Sequence, residues 1–236
     1  MKPKNPNWQE QAKKAAAKEA LKHVKDGYVL GLGSGTTVAY AIQELGKQTK
    51  QRQLQIIVVP TSYQAFLLAT QNHIHTTTLD EHPELDLTID GADQVERKTL
   101  NMIKGMGGAL TREKIVAAAS KELVIIVDET KLTDELGFKQ AIPVEVLPFA
   151  LAPVTAKLQE LRGNPKLREG NGKVGPVVTD NGNFVLDVDF GTIEDAEKLN
   201  MQIKAISGVV ETGLFLNMAT VVYVGTRNTV QKLVKT

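Results

Sequence analysis

Apolar and small residues recur every four positions at Ala12, Ala16, Ala20 and Val24. That spacing puts them on one face of a helix over residues 8–25, and Asp26-Gly27 ends it. Three unbroken apolar runs follow, Tyr28 to Leu32, Ile56 to Val59 and Leu123 to Val127, with a further strand-like segment at Leu85 to Ile89. Helical patterns at Val38 to Leu45, Ser62 to Gln71 and Thr111 to Ser120 separate them. Strands alternating with helices predict a parallel sheet with helices packed on its faces. Apolar strands with no polar alternation predict burial on both faces.

The texture changes after about Gly137. Ile142 to Val146 reads as a short strand bounded by prolines, and Ala152 to Leu161 as a helix. Val177 to Thr179 and Phe184 to Asp189 read as strands joined through Asp180-Asn181-Gly182-Asn183, residues suited to a hairpin turn. Thr192-Ile193-Glu194-Asp195 resembles a capping box opening a helix that runs to about Ile206. Strand, helix, hairpin, helix is the pattern of a split βαβ unit. The chain closes with a strand at Ala219 to Gly225 and a helix at Asn228 to Val234, and this tail is expected to rejoin the first sheet. The expected division is 1–136 with 207–236 for the sheet domain, and 137–206 for the smaller α+β domain.

Composition narrows the function. A chain of 236 residues, 42% hydrophobic and 23% charged, buries a core without staples. It has no cysteine, which removes disulfides, thiolate catalysis and cysteine metal sites, and fits the cytoplasm. With 28 basic and 27 acidic residues the net charge is +1, giving no global drive toward nucleic acid or anionic membrane. The first eight residues contain no apolar core of a secretory leader, so none is expected. The apolar runs are too short to span a bilayer.

Three segments carry candidate chemistry. Gly31-Leu32-Gly33-Ser34-Gly35-Thr36-Thr37 follows a buried strand and opens a helix. Such a loop turns backbone N–H groups toward an anion, and Ser34, Thr36 and Thr37 add hydroxyl donors. It also reads as a plain tight turn with a capped helix. No Gly-Lys-Ser/Thr follows, and the spacing is not that of a dinucleotide fingerprint. Asp90-Gly91-Ala92-Asp93 sits at the carboxyl end of a strand, where parallel sheets bind ligands. Its two acids suit a small ligand, a divalent metal or an Asx-type turn. In Lys104-Gly105-Met106-Gly107-Gly108-Ala109-Leu110-Thr111-Arg112-Glu113, the lysine suits an oxyanion or phosphate. Glu113 lies near a helix start, which favours its ionised form and hence a general base, or simply completes a first turn. Together the three fit proton transfer on a phosphorylated sugar.

These segments, in this order and spacing, resemble ribose-5-phosphate isomerases of the A type. Lys131, Val177 to Asn183 and Gly208 to Phe215 extend the similarity over nearly the whole chain, with Met106 where the family often has glycine. The resemblance implies an α/β fold: a parallel-sheet, Rossmann-like domain with helices on both faces, plus a smaller α+β (split βαβ, ferredoxin-like) domain. It also implies interconversion of D-ribose 5-phosphate and D-ribulose 5-phosphate through an enediolate, a step of the non-oxidative pentose phosphate pathway. Glu113 aligns with the base, Asp90 with the acid group that opens the ring, and Asp93 and Lys104 with the groups that manage the enediolate oxygens. Ser34, Gly35, Thr36, Thr37, Gly91, Ala92, Gly105, Met106, Gly107 and Lys131 align with substrate-binding positions, and Lys13 approaches the phosphate. No cofactor and no metal are implied. The implied partner is a pentose 5-phosphate, with no nucleic acid or membrane, and the implied assembly is a homodimer or a dimer of dimers.

The remaining candidates read as structure. Of the four histidines, His23, His73, His75 and His82, the pair His73 and His75 has the i, i+2 spacing of a metal pair, but surface or loop placement suits that pair better. Trp8 and Tyr40 read as packing residues, and Lys13, Lys14, Lys18 and Lys22 as the solvated stripe of the first helix, with a phosphate role for one of them as the lesser reading. Arg162, Lys166, Arg168 and Lys173 read as solvated loop and strand edge. The rival functions are a sugar-phosphate deaminase, which would call for a histidine beside the acids, a non-catalytic sugar-phosphate sensor, and, more weakly, a metal-dependent hydrolase using Asp90 and Asp93.

Overall fold

The computed structural model describes residues 8–170, 172 and 174–235. Two compact units divide the chain: residues 1–92, 112–132 and 218–236 form one, and 93–111 with 133–217 the other.

The first unit is built on a seven-stranded sheet. In chain order its strands are β1 (Val29–Leu32), β2 (Ile57–Pro60), β3 (His75–Thr76), β4 (Leu87–Asp90), β7 (Leu123–Asp128), β14 (Val221–Gly225) and β15 (Val230–Val234). Their spatial order is β15-β14-β7-β4-β1-β2-β3, parallel throughout except for the β14–β15 pair. The chain moves outward from β1 through β2 to β3, then returns to the other side of β1 to lay down β4. The strand order therefore reverses between β1 and β4, and such a reversal opens a crevice at the carboxyl ends of the strands.

Helices cover both faces, as the apolar runs predicted. α1 (Trp8–Ala20), α2 (Thr36–Arg52) and α3 (Tyr63–Gln71) pack on the face of Leu30, Leu32, Val58, Ile89 and Ile126. The alanine stripe of α1 is fully buried because it lets the helix approach closely: a side chain on Gly225 would meet the Cα of Ala12 at 2.8 Å. Val116 of α4 (Leu110–Ala118) packs on the opposite face with Val59 and Leu85. Gly31 of β1 makes room for it, since a Cβ there would lie 2.5 Å from the Val116 side chain.

The second unit holds β9 (Ile142–Val146), α5 (Leu151–Glu160), β10 (Asn164–Leu167), β11 (Phe184–Asp189), α6 (Ala196–Lys204) and β12 (Val209–Thr212). Their sheet runs β10-β11-β9-β12, all antiparallel. That βαββαβ order is the ferredoxin-like arrangement expected for the smaller unit. Its core is Val144, Val146, Val154, Leu158, Leu186, Val188 and Ile203. A further small sheet joins β13 (Leu214–Phe215), β6 (Met102–Ile103), β5 (Gln94–Glu96) and β8 (Leu132–Thr133) in that order.

Three expectations are corrected. The tail at 228–234 is not a helix: Val230–Val234 is β15, paired antiparallel with β14. Free edge backbone and β-branched ends at Val230 and Val234 favour a strand over a helix too short to stand alone. The arm Val177 to Thr179 reduces to one bridge, Val178 to Phe184. Pro176 has no N–H to give a ladder, and the Thr179 hydroxyl takes the Asn181 and Asn183 N–H groups into a side-chain-held turn, while the Thr179 N–H bonds the Asn183 carbonyl. The helix after Thr192 begins only at Ala196, capped by Asp195, whose carboxylate accepts from the Lys198 N–H at 2.9 Å.

Candidate functional site

In the first unit, Asp90 is the last residue of β4, at the strand reversal, and is fully buried. Its Oδ1 accepts from its neighbour's N–H, Gly91, at 2.7 Å and from the Ser34 N–H at 3.3 Å. Gly33 is the reason it fits: a Cβ on Gly33 would sit 2.7 Å from the Cβ of Asp90 and overlap its carboxyl group. Strand β1 and its loop thus seat the carboxylate by omitting a side chain.

The rest of that loop is equally fixed. The Ser34 hydroxyl lies 2.9 Å from the Thr61 hydroxyl and donates to the Ser62 oxygen at 2.6 Å. The Gly35 N–H donates to Gln64 Oε1 at 2.8 Å. Gly35 is the N-cap of α2 at φ 97°, a region open to glycine, and it brings no side chain to the helix start. Thr36 and Thr37 open that helix, with Thr36 exposed. Lys13 of α1 donates to the Thr36 hydroxyl at 3.2 Å, and its amine lies 3.9 Å from Asp128 Oδ2. Asp128 ends β7 buried, and accepts from the N–H and hydroxyl of Thr130. Lys131 closes the single helical turn that follows.

Glu113 occupies the first turn of α4 and is buried. The contact of Val116 with Gly31 seats its helix directly on β1. Glu113, Asp90 and the Gly33–Thr37 loop therefore share one unit and one face-to-edge framework built on β1.

In the second unit, Lys104 follows β6 and is buried. Its backbone N–H donates to the Gly213 carbonyl at 2.9 Å, and its amine lies 5.3 Å from the centre of the Phe215 ring. Asp93 accepts from the Met106 N–H at 2.9 Å. Gly105 takes φ 110° while wedged against Leu110 and Pro143. Met106 and Gly107 are exposed. Met106 is accommodated where the family often has glycine because its side chain points to solvent and its backbone φ is not positive.

Two further residues, neither of them expected in this role, support this segment. Glu145 is fully buried and accepts from Thr111, Thr179, Asn181 and Asn183 side chains. The Asp180 to Asn183 stretch thus supplies a turn and, through Asn181 and Asn183, donors to a buried acid. Arg168, expected in solvent, is instead 14% exposed, bound to Asp187 and to the carbonyls of Gly105 and Met106. Lys173, grouped with it, lies outside the described residues. Asp128, Thr61 and Ser62 were also missed. The available signal was their position after the apolar runs of β7 and β2, where a parallel sheet ends at its ligand edge.

His73 and His75 are exposed, and among the described residues no three His, Asp or Glu side chains cluster as metal ligands do. No helix among the described residues is long and apolar enough to cross a membrane.

A parallel sheet whose strand order reverses beside a glycine-rich loop and a buried carboxylate defines a class: an α/β protein of the kind that binds ligands at the carboxyl ends of its strands. Comparison with known proteins narrows the class. A family model described as ribose 5-phosphate isomerase A (phosphoriboisomerase A) matches residues 57–229. The ribose-5-phosphate isomerase A of Methanosarcina acetivorans is 49% identical over 222 residues, 94% of this chain and 93% of that protein. A solved structure of ribose 5-phosphate isomerase A from Methanocaldococcus jannaschii matches with a TM-score of 0.93 and 47% identity, covering 96% of this chain and 100% of that one. A structure of a D-ribose-5-phosphate isomerase in complex with phospho-erythronic acid matches with a TM-score of 0.93 and 44% identity, covering 96% and 99%. The chain belongs to the ribose-5-phosphate isomerase A family.

Proposed function

We propose that this protein interconverts D-ribose 5-phosphate and D-ribulose 5-phosphate through an enediolate, with Glu113 as the base. The observation that carries the assignment of the base is a buried carboxylate in the first turn of a helix, in a chain of this family. The first turn of a helix is where the dipole favours a carboxylate, the form that takes a proton. Glu113 carries a proton between C2 and C1, so the reaction needs no hydride acceptor and runs without metal or organic cofactor. Asp90 serves ring opening. Asp93 and Lys104 manage the enediolate oxygens, and a preplaced cation such as Lys104 contributes ~2–4 kcal/mol to such a transition state. Ser34 to Thr37, with Lys13 and Lys131, take the sugar phosphate, and Gly91, Ala92, Gly105, Met106 and Gly107 line its path through their backbones. The protein works in the cytoplasm, as a homodimer or a dimer of dimers, in the non-oxidative exchange of pentose phosphates.

The direct test is turnover of ribose 5-phosphate by the purified protein, with glucosamine 6-phosphate offered in parallel. Ketose formation from the pentose alone, undiminished after exhaustive chelation, is the expected result. Ammonia release from the amino sugar would establish the deaminase instead. A chelation loss restored by Mg²⁺ or Zn²⁺ would return the two aspartates to metal binding. Phospho-erythronic acid, found in a relative's complex, is expected to compete, because its carboxylate places charge as an enediolate does.

A further inference from the structure

Arg168 follows β10, far in sequence from the segments that carry chemistry, yet its guanidinium is spent on one of them. Nη1 donates to the carbonyl of Gly105 at 2.8 Å and to that of Met106 at 3.0 Å. Nε donates to Asp187 Oδ2 at 2.8 Å, and Nη2 binds the other carboxylate oxygen. Asp187 lies on β11, opposite Lys166 of β10, so the ion pair is anchored in the sheet. The planar fork thus faces a carboxylate on one edge and two successive carbonyls on the other. A lysine, a single point charge on a flexible stem, does not reproduce that geometry.

The two carbonyls belong to the residues directly after Lys104. Gly105 holds φ 110° between Leu110 and Pro143, a conformation that costs any other residue strain. The Met106 N–H is taken by Asp93, and the Lys104 N–H by Gly213. The peptide before the lysine is thus fixed by Gly213, and the two peptides that begin one residue after it are fixed by Asp93, by Arg168 and, at the Gly105 carbonyl, also by the Gly108 N–H. Asp187 neutralises the guanidinium, so this largely buried cation needs no other counter-charge.

We propose that Arg168 is a positioning residue for Lys104: clamped by Asp187, it sets the backbone from which the lysine amine projects. The proposal rests on the reading of Lys104 as the cation at the reacting oxygens. Arg168 touches no substrate. Its loss leaves the amine present but displaced, and misplacement of about an ångström lowers catalysis by roughly 100-fold.

The test is steady-state kinetics of Arg168→Ala on ribose 5-phosphate, with and without millimolar guanidinium ion. Expected are a kcat lowered roughly 10- to 100-fold, a KM changed less than about threefold, and partial recovery of kcat with guanidinium. A purely structural role would lower the melting temperature without that rescue. A kcat within threefold of wild type, or a loss that guanidinium leaves untouched, overturns the proposal. Should Arg168→Ala fail to fold, Arg168→Lys carries the same question: a tenfold fall in kcat at constant KM supports it, and a wild-type kcat overturns it. Lys104→Met separates the two layers. If that variant turns over at the wild-type rate, the reading of Lys104 is wrong. If it is inactive while Arg168→Ala is fully active, only the positioning role is wrong.

Discussion

The two glycine-rich loops solve one problem with a different balance of means. The loop at Gly33–Gly35 follows a strand buried in a parallel sheet, and its own sequence makes its shape. Gly33 omits the Cβ that would overlap Asp90, and Gly35 takes φ 97° at the start of α2. The loop at Gly105–Gly108 follows the two-residue strand β6 and closes its own turn, with Gly105 and Gly108 at φ 110° and 74° and the Gly108 N–H on the Gly105 carbonyl, but it is also tied from outside by Arg168, Asp93 and Gly213. At its far end Thr111 binds Glu145, which Thr179, Asn181 and Asn183 surround. A loop seated in a sheet needs small residues where the backbone is tight. A loop at a sheet's margin needs long polar side chains brought from elsewhere in the chain.

The contrast can be broken at several points. The largest effect is expected at the helix that the second loop feeds. Glu113→Gln keeps shape and hydrogen-bonding capacity but cannot accept the substrate proton. Its kcat should fall by roughly 10²- to 10⁴-fold with KM little changed, read as ketose formation from ribose 5-phosphate. A wild-type rate would remove Glu113 from the mechanism.

Next is the external scaffold. Glu145→Ala leaves the side chains of Thr111, Thr179 and Asn183 facing one another without their acceptor. Burying such groups unsatisfied costs about 3 kcal/mol or more in total, measurable by urea unfolding. A change below about 0.5 kcal/mol would show that the second loop does not depend on its surroundings.

The smallest effects come from adding one methyl group to each loop. Gly33→Ala must displace Asp90, and overpacking of this kind costs about 1–3 kcal/mol, with a matching loss of kcat/KM. Gly107→Ala meets open space at an ordinary φ, so its stability should change by less than about 0.5 kcal/mol. Equal melting temperatures for the two variants would erase the distinction between an internally shaped loop and an externally held one.

The same distinction explains which parts of the molecule were legible beforehand. Apolar runs declared β1, β2 and β7, apolar residues at Leu85, Leu87 and Ile89 marked β4, and the alanine repeat declared α1, because such patterns over four or more residues report burial directly. The glycine loop, Asp90 and Glu113 could be placed because each lies at the end of such an element. β5, β6, β8 and β13 could not, since strands of two or three residues carry no period. The tail at 230–234 was misjudged as a helix because its partner, β14, is what makes it a strand. Arg168 was assigned to solvent because a lone arginine in a polar stretch has no local mark of burial.

Local order, hydrophobic period and glycine placement thus settled the parallel sheet, the ferredoxin-like pattern and the residue types available for proton transfer. They act over a few residues, within the reach of backbone sterics and neighbouring side chains. The partners of Glu145 and Arg168, the pairing of β15 and the contact of Val116 with Gly31 were settled by folding alone. Apart from the β14–β15 hairpin, those contacts join residues well separated in the chain, and whether a charged side chain is spent on solvent, a carboxylate or a carbonyl depends on which groups the packed chain brings beside it.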